Sequence, residues 1–118
     1  MDNERTRIEI AYNRFKMNLE MFGFTIDKPI EWFVIFSKNT QAQMLFWHLK
    51  QFGYITNQQA QIIYGISHCP TPIKALRDMF IENKLPYRIV NNEVNGFNRW
   101  GKKTKYDEYT LEGYYDKN

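Results

Sequence analysis

Basic side chains gather in one segment of a chain that is otherwise close to neutral. The 118 residues carry a formal net charge of +3, yet between residues 84 and 105 six basic residues stand against the single acid Glu93. Those six are Lys84, Arg88, Arg99, Lys102, Lys103 and Lys105. Clustered positive charge attracts polyanions, and lysine and arginine contact phosphate oxygens without reading base sequence. The alternative is a solvated hairpin whose lysines only keep its strands soluble.

Two neighbours of these cations extend the candidate contact surface. Asn98 is a candidate polar contact, and Trp100 could stack on a base or a sugar or could anchor a partner protein. The alternative for Trp100 is packing against the hairpin stem or the N-terminal helix. The residues that we assign to this surface are Asn98, Arg99, Trp100, Lys102, Lys103 and Lys105.

A second candidate surface precedes the hairpin in the chain. Lys74 and Arg77 are spaced to share one exposed face of a predicted helix, and Ser67 and Thr71 lie near the start of that helix. Arginine is the commonest bidentate reader of guanine, and short hydroxyl groups suit phosphates. The alternative is that Arg77 pairs on the surface with its neighbour Asp78.

Neither a catalytic site nor a metal site is predicted. His68 and Cys69 are adjacent, but zinc takes about four ligands at recognisable spacings, and the other histidine, His48, lies in the apolar stripe of a helix. Asp107 and Glu108 are adjacent on a predicted strand, so they point to opposite faces and cannot act as a pair. The sequence has no glycine-rich phosphate loop and no nucleophile elbow. We expect no enzymatic activity and no cofactor.

Composition places the chain among packed, single-domain proteins. Aromatic residues make up 17% and hydrophobic residues 43%, which argues against disorder. Cys69 is the only cysteine, which excludes an internal disulfide and suits a reducing compartment. The longest apolar run, residues 32–36, is far shorter than the roughly 20 residues of a membrane span, and no apolar signal segment follows the charged N-terminus. We therefore expect a cytoplasmic protein.

Helices are predicted on the N-terminal side of both candidate surfaces. Apolar residues at three- and four-residue spacing predict an amphipathic helix over residues 3–22. Residues 32–36 form an apolar run that could be a buried strand or the start of a helix. Thr40 with Gln43, and Thr56 with Gln59, have capping-box spacing, and each pair opens a predicted helix that ends at the next glycine. A short extended link separates these two helices.

The candidate residues lie on a third helix and a hairpin. Thr71 as N-cap with Pro72 at the first helical position predicts the start of that helix. A strand follows from residue 85, then a loop of about ten residues, then a second strand over residues 104–111. A short helix followed across a tight turn by a longer one is the helix-turn-helix arrangement, whose second helix can enter a major groove.

Residues 39–111 resemble the winged helix-turn-helix domains of small bacteriophage and prophage proteins. The stretches that carry the resemblance are, in order, "TQAQMLFWHLKQFGYITNQQA", "YGIS", "NRWGKK" and "YTL". The resemblance implies an α+β, mostly helical fold, with a three-helix core, a β-hairpin wing and an added N-terminal helix. It divides the chain into a helical extension, residues 1–38, and a winged helix-turn-helix domain, residues 39–118. It also implies binding of double-stranded DNA through the third helix and the wing.

These observations lead to two functional hypotheses. The first is a small transcriptional regulator of a phage or mobile element that binds double-stranded DNA, with residues 1–38 covering the core or forming a homodimer. The alternative is a protein-interaction module that inhibits a host protein, such as a component of a defence system. An uninterrupted basic stripe joining Lys74 and Arg77 to Arg99 and Lys105 would favour DNA. A contiguous exposed patch of aromatic side chains would favour a protein partner; its members would be Trp47, Phe97 and Trp100.

Overall fold

The computed structural model describes residues 3–113, which fold into five helices and one three-stranded antiparallel sheet. In chain order the elements are α1 (Asn3–Met21), α2 (Ile30–Phe36), α3 (Gln41–Phe52), β1 (Tyr54–Thr56), α4 (Asn57–Tyr64), α5 (Pro70–Glu82), β2 (Tyr87–Phe97) and β3 (Lys103–Gly113). The predicted α+β class is therefore confirmed. Within residues 3–113, no helix combines the length and the apolar character needed to cross a membrane.

Local side-chain chemistry fixes the start of α3 and of α4, as the sequence predicts. The Thr40 hydroxyl accepts a hydrogen bond from the Gln43 backbone N–H at 3.2 Å, and the Gln43 side chain accepts from the Thr40 N–H at 2.9 Å. Thr56 and Gln59 form the same reciprocal pair ahead of α4, at 3.1 and 3.0 Å. Each pair satisfies two N–H groups that would otherwise lack partners at the helix start.

Two predictions about helices are settled by the structure. The apolar run at residues 32–36 belongs to the helix α2, not to a strand. The prediction that Thr71 caps the third helix is wrong, because α5 has Cys69 at its N-cap position and Pro70 as its first residue, with Thr71 inside the first turn. Pro70 suits the first helical position, where the missing N–H would have had no intrahelical acceptor.

The hairpin is longer, and its connection shorter, than the sequence predicts. β2 pairs with β3 from Tyr87↔Gly113 to Phe97↔Lys103, so only residues 98–102 connect the strands. The expected loop of about ten residues is therefore wrong. The asparagine-rich stretch before Phe97 has weak strand propensity, and its extended state comes from pairing with β3.

One core lies between the sheet and the helices α3, α4 and α5. The strand order is β1-β3-β2, which places β3 in the centre. Ile55 pairs with Tyr109 and lies on the same sheet face as Ile89, and all three are buried. The helical members of this cluster are Leu45, Leu49, Ala60, Ile73, Leu76 and Phe80.

A second, largely aromatic core joins the N-terminal helices to α3 and α4. Its buried members are Phe15, Leu19, Phe24, Phe36 and Ile63. Trp32 of α2 and Trp47 of α3 meet within it, with ring centroids 5.1 Å apart. Tyr64 packs against both cores. Residues 3–38 therefore form a layer that packs against α3 and α4.

His48 is fully buried beside this shared tyrosine. Its Nδ1 shares a 2.6 Å hydrogen bond with the Tyr64 hydroxyl, and its ring meets Phe24 edge-on with centroids 4.7 Å apart. The other ring nitrogen, Nε2, has no hydrogen-bond partner among residues 3–113. Burial lowers the pKa of His48 from 6.5 to about 4, and an opposing interaction with the Tyr54 backbone is smaller. The ring is therefore neutral near pH 7.

Candidate nucleic-acid interface

The outer half of the hairpin projects away from the helices. Ile89 and Tyr109 are the last buried residues of their strands before the hairpin leaves the core. From Asn91 to Phe97 the strand runs outward for about 20 Å at the usual rise per residue. Gly96 lies under the Tyr106 ring on the face opposite the core, where an added Cβ would come within 3.0 Å of Tyr106 Cε1. The Tyr106 side chain of β3 therefore packs directly on the backbone of β2 at Gly96.

Hydrogen bonds between residues close in sequence hold the connection between the strands in one conformation. The Asn98 N–H donates to the Lys102 carbonyl at 2.9 Å, and the Gly101 N–H donates to the Asn98 carbonyl at 3.0 Å. The Asn98 side-chain oxygen accepts from the Trp100 N–H at 2.9 Å and from the Lys102 N–H at 3.1 Å. Gly101 has φ +74°, a conformation that glycine adopts without strain. Asn98, predicted as a ligand contact, thus has its oxygen engaged in ordering the turn.

We use "the tip" for residues 97–103, which carry three exposed cations. Arg99, Lys102 and Lys103 are exposed and form no ion pair with any residue in the described part of the chain. Lys105, just behind the tip, lies 3.4 Å from the Glu93 carboxylate. The predicted basic cluster is therefore strongest at the tip and partly neutralised behind it.

Two aromatic side chains stand in solvent at the tip. Phe97 is 72% exposed and Trp100 is 77% exposed, so Trp100 does not pack against the hairpin stem or α1. Phe97 lines a shallow depression together with Lys103 and Lys105, which places an aromatic ring beside cations. Trp47 belongs to the second core, so of the three aromatic residues considered for a patch only Phe97 and Trp100 are exposed.

Phe97 was expected only as a member of an aromatic patch for a protein partner and not among the residues that contact DNA. The sequence did hold a signal that Phe97 is exposed, because a large apolar residue directly before a turn has little chance of burial. That signal was weak on its own, since single exposed apolar residues are common on protein surfaces.

The candidate residues on and before α5 are exposed, and two of them, Lys74 and Arg77, already have partners. Lys74 Nζ lies 2.8 Å from Asp78 Oδ2, and this hydrogen bond raises the pKa of Lys74. Arg77 donates to the Ile89 carbonyl at 2.8 Å and does not pair with Asp78. Ser67 and Thr71 are exposed near the start of the helix. Among its exposed residues α5 carries Lys74, Arg77, Asp78 and Glu82, so its surface has no net charge.

Acidic residues separate α5 from the tip. Glu93 and Asp107 are register partners, and they lie on the sheet face that carries the core residues farther down the hairpin. Burial is the main cause that raises the pKa of the Cys69 thiol, and the charge of Asp107 adds to it, which places this acid near the start of α5. The basic stripe from Lys74 to the tip is therefore interrupted.

The described residues offer no cluster that could hold a metal ion. No three His, Cys, Asp or Glu side chains within residues 3–113 are placed to hold one metal ion. His68 is exposed while Cys69 is buried, so the two neighbours do not present their side chains together. Comparison of the chain with protein family models, with curated proteins and with solved structures gave no match.

Proposed function

We propose that residues 39–118 are a winged helix-turn-helix domain and that the protein binds double-stranded DNA chiefly through the tip of its wing. The order helix, strand, helix, helix, hairpin supports this assignment, as does a sheet in which the second hairpin strand lies between the first hairpin strand and β1. The observation that carries the proposal is a set of three exposed cations at the end of the projecting hairpin, Arg99, Lys102 and Lys103, none of which forms an ion pair within residues 3–113. The proposed setting is transcriptional control in the cytoplasm of a phage-bearing cell.

The wing, not α5, supplies most of the proposed affinity. A phosphate contact by Lys74 has to compete with Asp78, and base readout by Arg77 requires release of the Ile89 carbonyl. The tip cations have no such competitor in the described part of the chain. Binding of this kind depends strongly on salt and little on base sequence, because phosphate contacts release condensed counterions.

Titration of a random duplex at several salt concentrations tests the proposal. Three phosphate contacts predict that log K falls with log salt at a slope of about −2.7, which is a loss of about 40-fold between roughly 50 and 200 mM salt. The double variant Lys102→Ala/Lys103→Ala leaves one contact and a slope of about −0.9.

A matched control removes two lysines from the N-terminal layer. Lys28→Ala/Lys38→Ala changes the net charge by the same amount but leaves the tip intact, so the slope is expected to stay within experimental error. Failure to bind any duplex at low salt would refute DNA binding. An equal change of slope in both double variants would refute the assignment to the tip.

A protein partner is the second candidate function, and the exposure of Phe97 and Trp100 is the observation that favours it. Exposed aromatic residues next to arginine are typical of interface anchors. On this hypothesis the tip contacts an acidic surface of a host protein, for example an inhibited component of a defence system. Absence of DNA binding together with loss of partner binding in Trp100→Ala would select this candidate.

The outer face of α1 is the surface that we propose for a homodimer. Ile10, Met17 and Met21 are 53%, 67% and 65% exposed and follow one another at helical spacing, while the inner face of α1 packs in the second core. A dimer would match the two-fold symmetry of a palindromic operator.

A further inference from the structure

We infer that the tip binds unpaired nucleobases, so that the protein prefers DNA carrying a short single-stranded stretch to an uninterrupted duplex. This inference rests on the proposed DNA binding and specifies the class of DNA. It assigns to Trp100 and Phe97 the role of stacking on bases, and to Arg99, Lys102 and Lys103 the role of contacting the adjoining phosphates.

The first support is the way in which the turn presents Trp100. Four hydrogen bonds among residues 98–102 fix the backbone on both sides of this side chain. The indole is nevertheless 77% exposed, and it has no ring or cation contact with the described residues. Because the backbone is already ordered, binding has to fix only the two side-chain torsions of the indole, which keeps the entropic cost of recognising a flat ligand low.

The second support is the chemistry of the neighbouring side chains. Arg99 directly precedes Trp100, and Lys102 follows it after one glycine, so cations lie on both sides of the indole along the chain. Phe97 shares its surface depression with Lys103. Alternating aromatic and basic groups match alternating bases and phosphates of a single strand, where stacking and charge attraction act together. Residues 97–103 contain no acid that would repel phosphate.

An intact duplex offers phosphates to the cations of the tip but no exposed base face to its aromatic rings. Within it each base is covered by its neighbours, so the indole finds an accessible base face only after the stack has been opened. A gap, a bulge or a frayed end already exposes such faces. The pair Glu93 and Asp107 behind the tip also disfavours a phosphate backbone running along the whole hairpin, which limits the contact to a few nucleotides.

The test compares three labelled DNA molecules by fluorescence anisotropy with the full-length protein. They are an uninterrupted duplex, the same duplex with an internal gap of about four nucleotides, and the corresponding single strand. We expect wild-type protein to bind the gapped duplex about tenfold more tightly than the uninterrupted one, as expected for stacking of one base. Trp100→Ala is expected to remove this preference while changing affinity for the uninterrupted duplex by less than about twofold.

Two further variants separate stacking from charge and from order in the turn. Trp100→Phe keeps an aromatic face and is expected to retain most of the preference. Asn98→Ala keeps every cation and ring but removes two hydrogen bonds of the turn, and we expect it to weaken binding of the gapped duplex. Near-ultraviolet circular dichroism checks that each variant is folded, which the exposure of these side chains leads us to expect.

The possible results are distinguishable. Equal affinity of the wild-type protein for gapped and uninterrupted duplex overturns the inference but leaves the proposed DNA binding intact. A uniform loss of affinity for all three molecules in Trp100→Ala overturns it as well, because stacking would then not depend on unpaired bases. Absence of binding to every DNA at low salt refutes the proposed function itself and directs attention to a protein partner.

Discussion

Acidification is expected to destabilise the fold through His48, the buried imidazole that shares a hydrogen bond with Tyr64. The folded protein holds this side chain with a pKa of about 4, whereas in the unfolded chain it returns to about 6.5. Between these two values the unfolded chain binds one proton more than the folded protein. The stability that is fully present above pH 6.5 is therefore lost progressively as the pH falls from 6.5 towards 4.

The size of the effect follows from the two pKa values. The interval from 6.5 to about 4, at about 1.4 kcal/mol per pH unit for one proton, corresponds to about 3 kcal/mol in the free energy of unfolding. Domains of this size are typically stable by about 5–15 kcal/mol. Titration of one side chain would thus remove a large part of the total stability.

Urea unfolding between pH 4 and 8, followed by tryptophan fluorescence, measures this dependence. His48→Asn keeps an amide near the Tyr64 hydroxyl but has no proton to bind in this range. We expect the variant to be less stable at pH 7, because it leaves a cavity, and to show a flatter pH profile than the wild type. Tyr64→Phe is the matched control, since it removes the hydrogen bond and leaves the imidazole.

Parallel profiles of the wild type and His48→Asn would refute this reasoning. They would mean that the imidazole is protonated in the folded protein as readily as in the unfolded chain, or that water reaches Nε2. A flat profile in Tyr64→Phe would also contradict it, because burial, and not the hydrogen bond, is the main cause of the lowered pKa.

Two further predictions concern the N-terminal layer. Leu19→Ala is expected to destabilise the whole protein by about 2–5 kcal/mol, because Leu19 is fully buried in the second core; a urea titration should show one shifted transition, and an unchanged main transition would contradict this. Met17→Glu is expected to leave the protein folded but to convert a dimer into a monomer, because this exposed methionine lies on the outer face of α1. Sedimentation measures the change, and a wild-type protein that stays monomeric at high concentration would refute the proposed dimer surface.

Helix ends were predictable where a short local pattern determines them. Thr40 with Gln43, and Thr56 with Gln59, make two reciprocal hydrogen bonds within one helical turn, whereas Thr71 before Pro72 makes no such pair and misplaced the start of α5. The state of α2 could not be read in the same way. Its apolar run has no period, and its helical state depends on ring contacts such as that of Trp32 with Trp47.

The positions of the charged residues in the site could be predicted from the sequence, but the groups that pair with them could not. Arg99 and Lys102 lie in the hairpin connection, as the sequence predicts, whereas Lys103 is the first residue of β3. The sequence could not show that Lys105 approaches Glu93, because that contact depends on the strand register. The hydrogen bond that Arg77 donates to the Ile89 carbonyl likewise depends on how α5 packs against β2.

The turn at the end of the hairpin has a consequence for how the protein can evolve. Its hydrogen bonds are made among residues 98–102, and Phe97 and Trp100 contribute nothing to either core. Substitutions of Phe97, Arg99 and Trp100, unlike those of Asn98 or Gly101, remove no core contact and no hydrogen bond that orders the turn, so the recognition properties of the protein can change independently of its scaffold. A lineage that meets new targets can thus exchange this one turn and keep the remaining structure unchanged.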